Sequence, residues 1–496
     1  MMFPSLSPHL PAIQVVLPLI AAPICVIFRH AGVAWLIALI TSWLSLGISI
    51  LLLEQVISSG PISYLLGSWS APWGIEYKVD MLSAFVMLIV TSIGAIVMVF
   101  APKSVNMEIP SDRTYLFYTM YLLTFAGLLG ITITADAFNL FVFLEISSLS
   151  SYVLISLGAQ RNALTAALRY LIMGTVGATF YIIGVGLMYQ MTGTLNITDL
   201  AERLPDVAST KTIVVAIGFI TVGIGLKLGL FPLHVWLPNA YAYAPSVVTA
   251  FLAATATKVA VYALLRVYFS IFGTNVFAAL PISELLLLLG LIAILSMSTV
   301  AIYQNNTKRL LAYSSVAQVG YMVIGISMVT VTGLTATILH LFNHAVIKGA
   351  LFLALAAVFY RIKSVKVESM AGLGKTMPFT MAAFVAAGFS LIGVPLTVGF
   401  ISKWYLILGA LEKNWWLVAV LIIVSSLLAV IYFWKVIESA YFKPRPDGAT
   451  EIKEAPLSML IPIWVMVGSN FYFGINTDFT ISIATKAAKS LIGVSP

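Results

Sequence analysis

Glu145, Lys227, Lys258, Lys348 and Lys403 each stand inside a stretch that is otherwise apolar enough to cross a bilayer. A charge near the bilayer centre costs about 2.5–3.5 kcal/mol on insertion scales, so such residues usually face a partner or a hydrated path. These residue types in this setting suit one chemistry, the gain and loss of protons without a cofactor. A neighbouring carboxylate favours the lysine ammonium and desolvation opposes it, so the distance between the two controls the proton. Lys227 is the expected partner of Glu145. His340, His344 and Lys348 recur at i, i+4 and i+8, which puts them on one helix face as a polar stripe. His234 could join that relay or cap backbone groups freed by a helix break.

Each of these residues also has a blander reading. Glu145 could be a protonated acid hydrogen-bonded between helices, the lysines could snorkel to an interface, and the histidine stripe could be an interhelical network. Lys435 and Glu438, at i and i+3, read as an ion pair near one membrane face. The His-x3-His spacing also suits zinc, but the glutamate of the metalloprotease motif is absent and no third ligand stands out, so no metal is expected. Gly372-Leu-Gly-Lys375 lacks phosphate-loop spacing, and no dinucleotide fingerprint, Ser-His-Asp arrangement or haem motif occurs. The one cysteine, Cys25, excludes an internal disulfide and a cysteine-held cluster. No cofactor is expected, and the energy must come from an ion gradient or a partner subunit. The residues by themselves read as ion or proton translocation, driven without an enzyme's cofactor chemistry.

The elements that hold these residues must be helices in a membrane. With 61% hydrophobic and 9% charged residues among 496, and a mean hydropathy of +1.04, the chain has too little polar surface for a soluble shell. Apolar runs of about 20 residues, the length that spans the hydrocarbon core, occur fourteen times between about residues 12 and 475. The fold class is all-α and polytopic, one membrane domain over 1–496. The first run lacks a basic leader and reads as a helix, not a cleaved signal. Connections at about 54–78 and 192–210 are too short for a soluble domain.

Helix breakers interrupt the seventh span at Gly229, Pro232 and Pro238 and the twelfth at Gly393, Pro395 and Gly399. Interrupted helices at corresponding places in two halves point to a transporter site. They are five spans apart, and an odd repeat returns upside down, so residues 114–270 and 284–442 are expected to be inverted five-helix repeats. Counting Lys and Arg on the two sides gives fourteen against seven when the N-terminus is outside. Both termini are therefore expected outside. The net charge of +8 follows from these loops and not from nucleic-acid binding.

Three blocks carry a more specific likeness: Lys227-Leu-Gly-Leu-Phe-Pro-Leu-His-Val-Trp-Leu-Pro238 running into Ala244–Ala250, Lys308-Arg-Leu-Leu-Ala-Tyr-Ser-Ser315 with Gln318–Tyr321, and His340-Leu-Phe-Asn-His-Ala-Val-Ile-Lys-Gly349. Over roughly residues 75 to 445 the chain resembles the antiporter-like subunits shared by Mrp cation/proton antiporters, respiratory complex I and membrane-bound hydrogenases. The resemblance implies a fourteen-helix fold with a hydrated charge axis along the membrane plane, at positions matching Glu145, Lys227, Lys258 and Lys403. The short tail after Phe442 is most similar to D-type Mrp subunits, which exchange sodium or another monovalent cation for protons. The implied partners are the other membrane subunits of such a complex, of the A, B, C, E, F and G types, in a bacterial cell membrane. The alternative is a proton-pumping subunit of a redox-driven complex.

Overall fold

A computed structural model describes residues 6–445 and 452–494. In the first half the helices run α1 (Leu10–Phe28), α2 (Ala31–Ser59), α3 (Met81–Glu108), α4 (Thr114–Ile133), α5 (Ala137–Ser156), α6 (Arg161–Thr192), α7 (Ile197–Val207), α8 (Lys211–Leu228), α9 (Leu237–Tyr243) and α10 (Ser246–Leu265). The second half continues with α11 (Gly273–Ala279), α12 (Ile282–Ile302), α13 (Thr307–Ser327), α14 (Val331–Ile362), α15 (Leu373–Thr376), α16 (Pro378–Ile392), α17 (Val398–Glu412), α18 (Trp416–Ile437), α19 (Leu457–Ile475) and α20 (Asp478–Ile492). Among the described residues, thirteen helices are long and apolar enough to cross a membrane. The halves α16 and α17 together make a fourteenth crossing.

Burial sorts these helices into a centre and a rim. In α10 and α13, 94% of the apolar window is buried, against 39% in α6 and α12, which present their other face outward. α10 packs against α14, and α14 against α3, α13, α16 and α17, so the helix with the histidine stripe is the hub of the bundle. Local chemistry sets the helix starts. Asp80 and Ser83 form a reciprocal capping box at α3, while Asp136, Asn306 and Thr330 cap α5, α13 and α14.

Both expected breaks are present. α8 stops at Leu228, where Gly229 adopts φ 71°, a left-handed conformation that glycine enters without strain. The chain turns through Pro232 and resumes as α9 with Pro238 in its first turn. α16 stops at Ile392 with Gly393 at φ 96°, and α17 resumes at Val398. Gly399 lies inside α17, not in the break, and its amide donates to Ser390 Oγ at 3.3 Å where the two halves lie close.

The structure adds elements to three regions. The connection at 54–78 contains the end of α2 and a hairpin of β1 (Ile62–Leu65) and β2 (Glu76–Val79), paired Ile62↔Val79 through Leu65↔Glu76. The one at 192–210 contains α7. These loops join through backbone bonds, Ala135 N–H to Glu76 O at 2.9 Å and Ile197 N–H to Ala135 O at 2.8 Å. The Glu76 carboxylate accepts from Ser63 Oγ at 2.6 Å and Asn196 Nδ2 at 3.0 Å. The third addition is α20, beyond the last expected span. A further expectation is corrected: Glu438 pairs with Lys443 at 3.7 Å, while Lys435 donates to Gln304 O at 3.1 Å and Asn305 Oδ1 at 3.0 Å. The carbonyls left free at the end of α12 draw the lysine away from the carboxylate.

Candidate site along the buried charges

The pair of Glu145 on α5 and Lys227 in the last turn of α8 anchors the site. Lys227 Nζ stands 2.8 Å from Glu145 Oε1, with the lysine side chain 5% exposed and the glutamate 20%. The same ammonium donates to Ser148 Oγ at 2.7 Å and to Tyr152 OH at 3.4 Å. Glu145, Ser148 and Tyr152 lie at i, i+3 and i+7, so one face of α5 meets the amine with three oxygens. The break behind Lys227 is tied down as well. Trp236 Nε1 donates to Leu226 O at 2.8 Å, and its indole stacks on Tyr170 with centroids 3.7 Å apart and planes 3° apart. Tyr170 in turn meets Tyr152 edge to face.

A cavity of about 20 Å³ adjoins Lys227, lined by Ser147, Ser148, Ser151 and, on α10, Ala256, Val259 and Ala260. About 10–15 Å³ suffices for one water with polar partners, and serine hydroxyls provide them. The cavity reaches the stretch of α10 that carries Lys258, which is fully buried with its ammonium on Ala253 O and on Thr257 Oγ1 at 3.3 Å.

From α10 the charges pass to α14. His344 lies one turn from both His340 and Lys348 on α14, the helix that packs against α10. It is fully buried, and among the described residues neither ring nitrogen has a hydrogen-bond partner. An imidazole can take up a proton at one ring nitrogen and release one from the other. Lys348 donates to Leu311 O at 2.8 Å and to Ser314 Oγ on α13. The rings of His340 and His344 stack with centroids 5.9 Å apart. His340 is held at both ends, Nδ1 2.8 Å from Ser402 Oγ and Nε2 2.9 Å from Gln318 Oε1. Ser402 precedes Lys403, so this bond links the stripe to the second broken helix.

Lys403 Nζ donates to Leu391 O at 3.1 Å and Ile392 O at 2.8 Å, the last carbonyls of α16, and lies 5.2 Å from the Tyr321 ring centroid. His234 stands apart from this row. It stacks on Phe231 at 5.5 Å, and among the described residues its Nδ1 has no partner and no direct bond joins it to Lys227. Among the described residues no group of three or more His, Cys, Asp or Glu could hold a metal ion.

Sequence reasoning gave no site role to Ser148, Tyr152 or Ser402, nor to Ser314 and Gln318, which it met only as members of a quoted block; all five bond the singled-out side chains. A signal for some of them exists in Ser147-Ser-Leu-Ser-Ser151, an unusually polar run within an apolar span, and in Gln318, an amide with no surface to reach. Residues 134–429 match the family described as "NADH:quinone oxidoreductase/Mrp antiporter, TM". The chain belongs to this family. It is 43% identical over 480 residues to the N subunit of the NADH-quinone oxidoreductase of Desulforudis audaxviator, covering 93% of this chain and 94% of that one. It is 29% identical over 486 residues to the D-type subunit of the Na+/H+ antiporter of Alkalihalophilus pseudofirmus, covering 98% and 97%. Its fold superposes with a TM-score of 0.90 on a chain of the Mrp complex from Dietzia sp., at 24% identity and 98% coverage of both.

Proposed function

We propose that the chain is the proton-translocating subunit of a multi-subunit monovalent cation/proton antiporter, with sodium as the expected cation. The observation that carries this reading is the Glu145–Lys227 pair beside a helix break, continued by buried amines and imidazoles to a lysine at a second break. Separating Lys227 from Glu145 would weaken its hold on a proton, and bringing them together would restore it. Lys258, His344, Lys348 and His340 relay the proton, and Lys403 is the terminal site. His234 serves the break instead of the relay. The units 114–270 and 284–442 act as the two inverted halves, with both termini outside a bacterial cell membrane. The other subunits of the complex, of the A, B, C, E, F and G types, complete the cation path.

A second reading has its own support. The 43% identity to a chain of an NADH-quinone oxidoreductase favours a proton-pumping role driven by electron transfer in attached modules. The two readings separate in everted vesicles carrying the whole gene cluster and a pH-sensitive dye. Sodium that collapses an imposed pH gradient, without a redox substrate, supports the antiporter. No sodium response, with proton uptake that requires a redox substrate, moves the chain to the redox pump.

A further inference from the structure

Away from the buried row, a second polar cavity of about 280 Å³ opens between the start of α6, α9 and the start of α13. Asn162, Thr165 and Arg169 line it from one face of α6, Asn239 and Tyr243 from α9, and Arg309 from α13. Among the described residues neither arginine is paired with an acid. Among the same residues the buried Nε of Arg309 has no hydrogen-bond partner. Two guanidiniums around one cavity, one with an unmet donor and ringed by neutral hydrogen-bonding side chains, match an anion with several acceptor oxygens.

Position narrows the source of that anion. α6 has 32 residues, or about 48 Å at about 1.5 Å per residue, and so overruns a hydrocarbon core of about 30 Å. With the surplus shared between its two ends, the first turns reach the headgroups, and Arg169, about 12 Å along the helix, is close enough to the hydrocarbon edge to snorkel to them. Next to the polar face, Leu164, Leu168 and Ile172 are 59%, 54% and 54% exposed at successive turns, a wall against which acyl chains can lie. Arg161, Arg169 and Arg309 belong to the side that the excess of Lys and Arg marks as inner, where anionic lipid attracts basic residues.

We propose that this cavity binds the headgroup phosphate of an anionic phospholipid, bridged by Arg169 and Arg309, with an acyl chain along Leu164, Leu168 and Ile172. The lipid is a clamp on α9, because Asn239 and Tyr243 belong to that segment. Arg169 also adjoins Tyr170, whose ring stacks on Trp236 at the break behind Lys227.

Native mass spectrometry of the detergent-purified full chain tests the site, with phosphatidylglycerol, phosphatidylcholine or inorganic phosphate added back. The expected result is one phosphatidylglycerol held per chain at least tenfold more tightly than phosphatidylcholine. Arg169→Gln/Arg309→Gln should reduce that retention at least tenfold, whereas Arg169→Lys/Arg309→Lys, which keeps the charge, should hold an intermediate amount. Circular dichroism of each variant confirms that it is folded, and a misfolded glutamine pair is replaced by the single variants, each expected to lose at least threefold. Equal retention by folded wild-type and glutamine variants would overturn the proposal, leaving the cavity to solvent or to an acid of a neighbouring protein. Displacement of the lipid by millimolar inorganic phosphate would also overturn it, since the site would then take a free anion.

Discussion

The two broken helices hold their lysines in opposite ways. At the first break, Lys227 precedes the interruption and faces a carboxylate, a hydroxyl and a phenol on α5. At the second, Lys403 follows the interruption and reaches back to the carbonyls of Leu391 and Ile392, with a tyrosine ring beside it and no acid in hydrogen-bond contact. The first lysine is thus held by the charge of a side chain on another helix. The second is held by backbone dipoles that the break itself exposes, and those are fixed as long as the break is fixed. One fold motif therefore yields two settings for a buried lysine, one that faces an acid and one in which carbonyls take its place.

The comparison is broken most severely at Lys227. Lys227→Ala leaves Glu145, a carboxylate only 20% exposed, with no counter-ion. It is expected to cost about 3 kcal/mol, the low end for a broken buried pair, because the glutamate keeps some exposure. Proton translocation should fall to background. Glu145→Ala/Lys227→Ala should recover most of the stability in thermal melts and none of the transport. Lys403→Ala comes next, with about 2 kcal/mol from two carbonyls left unmet at a helix end. No removal of an acid should rescue it, and a rescue by Glu145→Ala would erase the proposed difference between the breaks.

Smaller changes sharpen the contrast. Ser148→Ala removes one charge-assisted bond from Lys227, about 1.5 kcal/mol. It should shift the pH dependence of transport without abolishing it. Gln318→Leu frees one end of the His340 ring at a cost of about 1 kcal/mol, and the imidazole should become mobile by NMR while the Glu145–Lys227 pair is unchanged. A control lies outside both breaks, where Asp80 pairs with Arg266. Burial pushes the Asp80 carboxyl up, but the Arg266 guanidinium and the Ser83 bonds outweigh it and hold it below the ordinary 3.8. The stability this provides is fully present above the unfolded value of about 3.9 and is lost as pH falls through the folded one. Melting temperature should therefore drop below about pH 4 in the wild type and less in Asp80→Asn.

The pattern of what the sequence disclosed follows from cost. A charge in an apolar run and a glycine-proline cluster in a helix are expensive in a membrane, so Glu145, Lys227 and the breaks at Gly229 and Gly393 stand out against their surroundings. Ser148, Ser314 and Ser402 are cheap at any depth, since a serine in a helix bonds its own backbone, and only the reach of Lys227 from α8 to α5, or the packing of α13 and α17 against α14, gives them a partner to serve. The hairpin at Ile62–Leu65 and Glu76–Val79 escaped for another reason. Its strands are four residues long, and their pairing is fixed by Asn196 and Ala135, 120 and 59 residues after Glu76. α20 is short and carries lysines, which resembles a polar tail until it docks on α14 and α3.

The central claim is that Lys227 must release its proton and not merely balance Glu145. Lys227→Arg separates the two, because arginine preserves the ion pair but does not deprotonate. In everted vesicles carrying the complete complex, the account predicts that this variant is folded and assembled but translocates no protons above background. Translocation at the wild-type rate would contradict it and reduce the pair to a structural ion pair.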